Sequence, residues 1–128
     1  MMRILLDTHV FLWVVSDSPK LNQTARTKIE NAAEVFVSVA SLWEISIKAV
    51  TGKIDGDVEA MACAIQESGF YELPVRASHA VQVSRLPLLN GHKDPFDRLL
   101  VAQSMVEPLV LLTADAHLAA YGGLIRTV

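Results

Sequence analysis

Four acidic residues stand where apolar runs hand over to helical segments: Asp7, Glu44, Asp97 and Asp115. Asp7 ends the run Arg3-Ile4-Leu5-Leu6, and Asp115 closes Leu109-Val110-Leu111-Leu112-Thr113-Ala114. Glu44 lies six residues past Val35-Phe36-Val37-Ser38, and Asp97 lies within Asp94-Pro95-Phe96-Asp97-Arg98. If the runs are neighbouring parallel strands, the carboxylates meet at one edge of the sheet. Such a cluster is unstable alone: at about 5 Å and an effective dielectric near 20, two ionised carboxylates repel by roughly 3 kcal/mol. A chain that gathers several is suited to a hard cation with oxygen ligands, Mg²⁺ or Mn²⁺.

Each acid also has a purely structural account. Asp7 and Asp115 have the character of N-caps, accepting hydrogen bonds from free amides at a helix start. Asp97, three residues after Asp94, suits the return partner of a capping box or the helix dipole. Ser41 and Glu44 share capping-box spacing, and Glu44 with Lys48 makes an i,i+4 pair. A parallel sheet sends every strand-to-helix junction to the same edge, so innocent caps gather there too. Two features favour a site: Asp7 and Asp115 end strongly apolar strands, and Asp97 stands in a segment that Asp94 already caps.

The elements that position these residues alternate. Arg3–Leu6 reads as a buried strand, followed by a short helix over Thr8–Val15. Asn22 caps a second helix running to Asn31, with Ala25, Ile29 and Ala32 inward. The β-branched and aromatic run Glu34–Ser38 is a second strand. A helix from Val39 to Val50 stops near Gly52, and Val58, Met61, Ala62 and Ile65 stripe another that ends at Gly69. Tyr71–Leu73 is a short strand, and Ser78–Arg85 gives one or two helical turns. Asp94-Pro95 opens a helix with a cap and a proline at its first position. Leu109–Leu112 and Leu124–Thr127 are the last strands. Alternating strands and helices imply an α/β fold with a parallel sheet covered on both faces, and ligands of such sheets bind beyond the strands' carboxyl ends.

Composition bounds the rest. The 128 residues suit one domain, 1–128. With 52% hydrophobic residues the chain is slightly rich for a monomer, which points to a partner or homo-oligomer contact. A net charge of −3 argues mildly against nucleic acid, although bound divalent ions would reverse the sign locally. Cys63 is the sole cysteine, so no internal disulfide forms, and we expect it buried as a small apolar residue. No apolar run approaches the roughly 18 residues of a membrane span, and Asp7 comes too early for a signal-peptide core. We expect a soluble cytoplasmic protein.

The segments Leu5-Leu6-Asp7-Thr8-His9, Val37-Ser38-Val39-Ala40-Ser41-Leu42-Trp43-Glu44-Ile45, His92-Lys93-Asp94-Pro95-Phe96-Asp97-Arg98-Leu99-Leu100-Val101-Ala102-Gln103 and Leu112-Thr113-Ala114-Asp115 together resemble the PIN domain of VapC-type toxins. The resemblance spans essentially the whole chain, in order. It implies an α/β/α sandwich on a short, mostly parallel sheet of about five strands. It also implies a Mg²⁺- or Mn²⁺-dependent endoribonuclease, the toxin of a type II toxin–antitoxin pair, acting on RNA and silenced by a cognate antitoxin protein. The catalytic and metal-binding set becomes Asp7, Glu44, Asp97 and Asp115, with Thr8 and Thr113 as hydroxyl neighbours; Asp94 is assigned mainly to capping.

Around that set, Lys48, Lys53, Arg85, Lys93 and Arg98 are the nearest basic residues. Phosphate contacts from some of them would position RNA, against an ordinary solvated charge. His9 and His92 are assigned capping or supporting roles, and His79 and His117 read as helix-surface residues. Phe11, Trp13 and Trp43 are expected in the core; any apolar surface left exposed would suit a homodimer contact or a groove for an antitoxin helix. Two rival functions stand: a catalytically silent PIN-fold binding module, and a Mg²⁺-dependent phosphatase with an aspartyl nucleophile. The phosphatase would need a second acid two residues after Asp7, where His9 stands. A receiver-type phosphoacceptor would need adjacent acids at the first strand, and these are missing.

Overall fold

The computed structural model describes residues 2–91 and 93–128. Five strands form one sheet: β1 (Arg3–Leu6), β2 (Glu34–Ser38), β3 (Tyr71–Leu73), β4 (Val110–Thr113) and β5 (Ile125–Thr127), in the spatial order β3-β2-β1-β4-β5. All four pairings are parallel. Six α-helices are described: α1 (Thr8–Val15), α2 (Gln23–Glu30), α3 (Val39–Val50), α4 (Val58–Glu67), α5 (Ala77–Ser84) and α6 (Pro95–Val106). Short 3₁₀ segments cover Leu89–Gly91 and Ala116–Tyr121; the second, between β4 and β5, was not anticipated from the sequence.

Strand periodicity divides the core in two. Ile4 and Leu6 of β1, with Val35, Val37 and Leu112, pack against Val10 and Phe11 of α1, Ala25 of α2, Ile45 of α3 and Ile65 of α4. Leu5, pointing the opposite way, joins Leu73, Leu111 and Ile125 beneath Leu100, Val101 and Ala102 of α6. Both faces of the sheet are therefore covered at its centre, which is why Ile4–Leu6 and Val110–Leu112 read as continuous apolar runs. Leu6 and Leu112 are fully buried, and truncating either to alanine would cost about 3 kcal/mol. Among the described residues no helix is long and apolar enough to cross a membrane.

The helix boundaries follow local chemistry. Asp7, Asn22, Asp57 and Asp94 each accept a backbone N–H at the start of the helix they precede. The cap of α3 is Ser38, whose hydroxyl accepts from the Ala40 amide, not Ser41. Gly52 and Gly69, at φ +76°, terminate α3 and α4 in the left-handed region that glycine adopts without strain.

Cys63 is exposed, not buried: it lies off the Val58, Met61, Ala62, Ile65 stripe that faces the sheet. His79 is fully buried, not on the surface. Its Nδ1 accepts the Arg76 amide at 3.0 Å and its Nε2 lies 2.6 Å from Glu107 Oε2. Phe11 is buried as expected and Trp13 packs partly buried against the core. Trp43, by contrast, is 61% exposed, with its ring edge-on to Phe96 at 5.2 Å between centroids.

Candidate acidic metal-binding cleft

The strand order changes direction at β1: the chain proceeds from β1 outward through β2 and β3, then returns to place β4 on the other side of β1. Beyond the carboxyl ends of such a switch point lies the usual crevice of an open α/β sheet. The register pairs Leu6 with Leu112, and the Asp7 amide continues the ladder to the Leu112 carbonyl at 3.0 Å. This brings the end of β1 against the end of β4.

Asp7 is consequently bound to both strands and to its own helix. Its Oδ1 accepts the Val10 amide at 2.8 Å, capping α1. Its Oδ2 accepts the Thr113 hydroxyl at 2.5 Å and the Ala114 amide at 3.3 Å. Thr113 Oγ1 in turn accepts the Asp115 amide at 3.0 Å. Asp7 is only 4% exposed, and this burial raises its pKa above the ordinary value of 3.8. The hydrogen bonds from Thr113, Val10 and Ala114, and the nearby His9, act in the opposite direction without overcoming it.

Glu44 projects from α3 towards α1. Its Oε1 accepts the Thr8 hydroxyl at 2.6 Å, and Lys48 Nζ lies 3.0 Å from its Oε2. Thr8 also reaches Ser41 Oγ at 3.0 Å, so Ser41 supports the Glu44 network without capping α3. Asp94 Oδ1 accepts the Phe96 and Asp97 amides at 2.9 and 3.0 Å, which confirms its capping role and fixes the first turn of α6. Asp115 caps the following 3₁₀ segment by accepting the His117 amide at 2.9 Å.

All four expected acids line one cleft of about 290 Å³, together with Asp94, His9, Trp13, Lys48 and Ala114. Five carboxylates face one ammonium, a formal excess of four negative charges among the lining side chains. The donor chemistry fits Mg²⁺ or Mn²⁺: the charged donors are carboxylate oxygens. Asp7 Oδ1 takes one protein hydrogen bond, leaving it a lone pair of the four that a carboxylate offers. The acids ring the cleft without closing on a point: among the described residues no three His, Cys, Asp or Glu side chains stand close enough to hold an ion between them. Ligation therefore requires waters or side-chain rotation, as Mg²⁺ sites commonly involve.

Other candidates fall elsewhere. Of the five basic residues named from the sequence, only Lys48 lines the cleft. Arg98, next to Asp97, is turned away: its guanidinium donates to the carbonyls of Val83, Leu86 and Pro87 and to Tyr121 Oη. His92 lies outside the described residues. His117 is exposed as expected, with Nδ1 3.2 Å from Asp115 Oδ1. Lys48 and Trp13 are lining residues whose individual importance the sequence did not signal. Lys48 was named from the sequence as a helix partner of Glu44 and as one of five basic residues near the site, without being singled out from the other four, and Trp13 only as an apolar residue expected in the core.

Known proteins resemble this chain in sequence or in fold. Ribonuclease VapC22 from Mycobacterium tuberculosis is 26% identical over 122 residues, covering 94% of this chain and 93% of its own. VapBC2 from Rickettsia felis, solved bound to a DNA fragment from its promoter, superposes with a TM-score of 0.73 at 14% identity over 98% of each chain. A toxin–antitoxin complex from Klebsiella pneumoniae gives 0.70 at 17% identity, covering 97% of this chain and 96% of its own. The structural likenesses establish the fold. The PIN domain family model matches residues 4–124, and the chain belongs to the PIN domain family.

Proposed function

We propose that this PIN domain is a Mg²⁺- or Mn²⁺-dependent endoribonuclease, the toxin of a type II toxin–antitoxin pair, working in the cytoplasm. The observation that carries the reading is the cleft itself: Asp7, Glu44, Asp97 and Asp115, from four different places in the chain, line one crevice at the switch point of the sheet. A divalent ion held there would supply positive charge for the phosphoryl oxygens and would lower the pKa of water. Asp7, the most tightly held acid, and Asp97, on the capped first turn of α6, are assigned as ligands. Glu44 and Asp115 complete the donor set. Thr8 and Thr113 fix the carboxylates of Glu44 and Asp7 in orientation through their hydroxyls. The similarity to Ribonuclease VapC22 supports RNA as the substrate.

The partner side of the reading draws on the similarity to VapBC complexes and on the surface of α3. Val39, Trp43, Ile47 and Val50 follow one another at spacings of four, four and three and are all exposed. That stripe offers an apolar face to an antitoxin helix or to the second chain of a homodimer. The silent binding module keeps one observation in its favour, the absence among the described residues of a preformed three-ligand group. RNA cleavage by the wild-type protein and by Asp7→Asn and Asp97→Asn, each with Mn²⁺ and with chelator, separates the readings. Cleavage that needs Mn²⁺ and both aspartates supports the nuclease; cleavage undiminished in both variants refutes the site, and no cleavage by wild type favours the module.

A further inference from the structure

Lys48 stands in a place that an all-carboxylate metal site does not require. It follows Glu44 by one turn of α3, with Nζ 3.0 Å from Glu44 Oε2. Its side chain is 30% exposed while that of Glu44 is 7% exposed, so the carboxylate is held inside and the ammonium sits towards solvent. Among the described residues it is the one lysine or arginine that lines the cleft, in a protein of net charge −3. Glu44 Oε1 accepts the Thr8 hydroxyl and Oε2 the Lys48 ammonium, so the charge of this carboxylate is already neutralised by a cation when no metal is bound.

An ammonium and a divalent ion compete for the same carboxylate. A single and a double positive charge about 6 Å apart repel by roughly 1.4 kcal/mol even at the dielectric of water. A lysine stem is long and flexible, and its head is a compact charge that readily exchanges partners. Displaced from Glu44, the ammonium remains at the cleft wall, where the anion to be recruited is a phosphodiester. We propose that Lys48 is a two-position residue: it neutralises Glu44 in the metal-free protein and, with a divalent ion in the cleft, contacts a substrate phosphate beside the scissile one. This rests on the ribonuclease reading and assigns the phosphate contact within it.

The two positions give effects of opposite sign. Calorimetric titration with Mn²⁺ alone reads the first. Lys48→Gln removes the competitor and is expected to bind Mn²⁺ roughly three- to tenfold more tightly than wild type. Binding of a cleavage-resistant 2′-O-methyl single-stranded oligonucleotide in Mn²⁺, over a range of salt, reads the second. Lys48→Gln is expected to weaken it about tenfold, uniformly across base sequences, and to flatten the dependence of log K on log salt by about 0.7. Lys48→Arg is expected to restore the oligonucleotide affinity. Mn²⁺ affinity that falls or stays constant in Lys48→Gln, or oligonucleotide affinity and salt slope that do not change, overturns the proposal. Those results in a background where wild type binds Mn²⁺ and cleaves RNA leave the nuclease reading intact. A wild type that neither binds Mn²⁺ nor cleaves RNA overturns both.

Discussion

The Thr113 hydroxyl donates to Asp7 Oδ2 across the seam between β1 and β4, joining residues 106 positions apart. Thr113 Oγ1 itself accepts the Asp115 amide, so one side chain orients the acid at the end of β1 and the backbone of the acid beyond β4. Thr113 is fully buried, and valine would match its shape while removing both bonds. Thr113→Val is expected to lower Mn²⁺ affinity and RNA cleavage by about 10- to 100-fold, the usual cost of losing a group that orients a ligand. Titration calorimetry and a cleavage assay check this; an unchanged Mn²⁺ affinity would show that the hydroxyl only fills space.

Burial makes Asp7 a liability when no cation accompanies it. Its folded pKa lies above the ordinary value, so its contribution to stability is complete below the unfolded pKa and is lost as pH rises through the folded one. In the metal-free protein Asp7 therefore favours folding less at neutral pH than at low pH. Asp7→Asn keeps an oxygen for the Val10 amide and removes the charge. In chelator, the variant is expected to melt at or above wild type at pH 7, with the advantage shrinking or reversing as pH falls towards 4. Added Mn²⁺ is expected to raise the melting temperature of wild type and not of the variant. Thermal melts across pH test this; equal destabilisation of the variant at every pH would contradict it.

Arg98 is expected to govern stability, not chemistry. Its guanidinium ties the Val83 carbonyl at the end of α5, the Leu86 and Pro87 carbonyls that follow it and the Tyr121 hydroxyl to α6, a fork that lysine does not reproduce. Arg98→Ala is expected to cost about 3 kcal/mol in a denaturant titration, with Lys recovering only part. Mn²⁺ affinity of the folded variant is expected to stay within about twofold of wild type, since Arg98 is not a lining residue of the cleft.

His79 makes a similar anchor on the same face of the sheet. With its ring buried between the Arg76 amide and Glu107, His79→Leu strands both partners and is expected to destabilise by about 2–4 kcal/mol. His79→Gln, which offers an acceptor and a donor, is expected to recover part of that loss. Denaturant unfolding of the two variants decides it, and equal stability of Leu and wild type would contradict it.

Much of this molecule is legible in local sequence because it is locally determined. Strands buried on both faces must be apolar throughout, so Ile4–Leu6 and Leu109–Leu112 announce themselves, and Asp7, Asn22 and Asp94 mark helix starts through their own hydrogen bonds. What depended on partners far along the chain was hidden. His79 looks like a surface residue until Gln103 and Glu107 close over it. Trp43 belongs to a helix that is apolar on two sides, and only the packing of Ile45 against the sheet decides which side is covered. Arg98 adjoins Asp97 in sequence, yet one residue along a helix is a turn of about 100°, enough to send it to the other side. Cys63 was misplaced for a simpler reason: it breaks the stripe that its neighbours define.

Diffraction from crystals soaked in MnCl₂, recorded at the manganese absorption edge, tests the shared-ion claim most directly. An anomalous peak is expected in the cleft within direct coordination distance of Asp7 and Asp97, with Glu44 and Asp115 bound directly or through waters, and its loss is expected in Asp7→Asn. A fully soaked crystal with no manganese between these carboxylates, or with them turned away from one another, would contradict it.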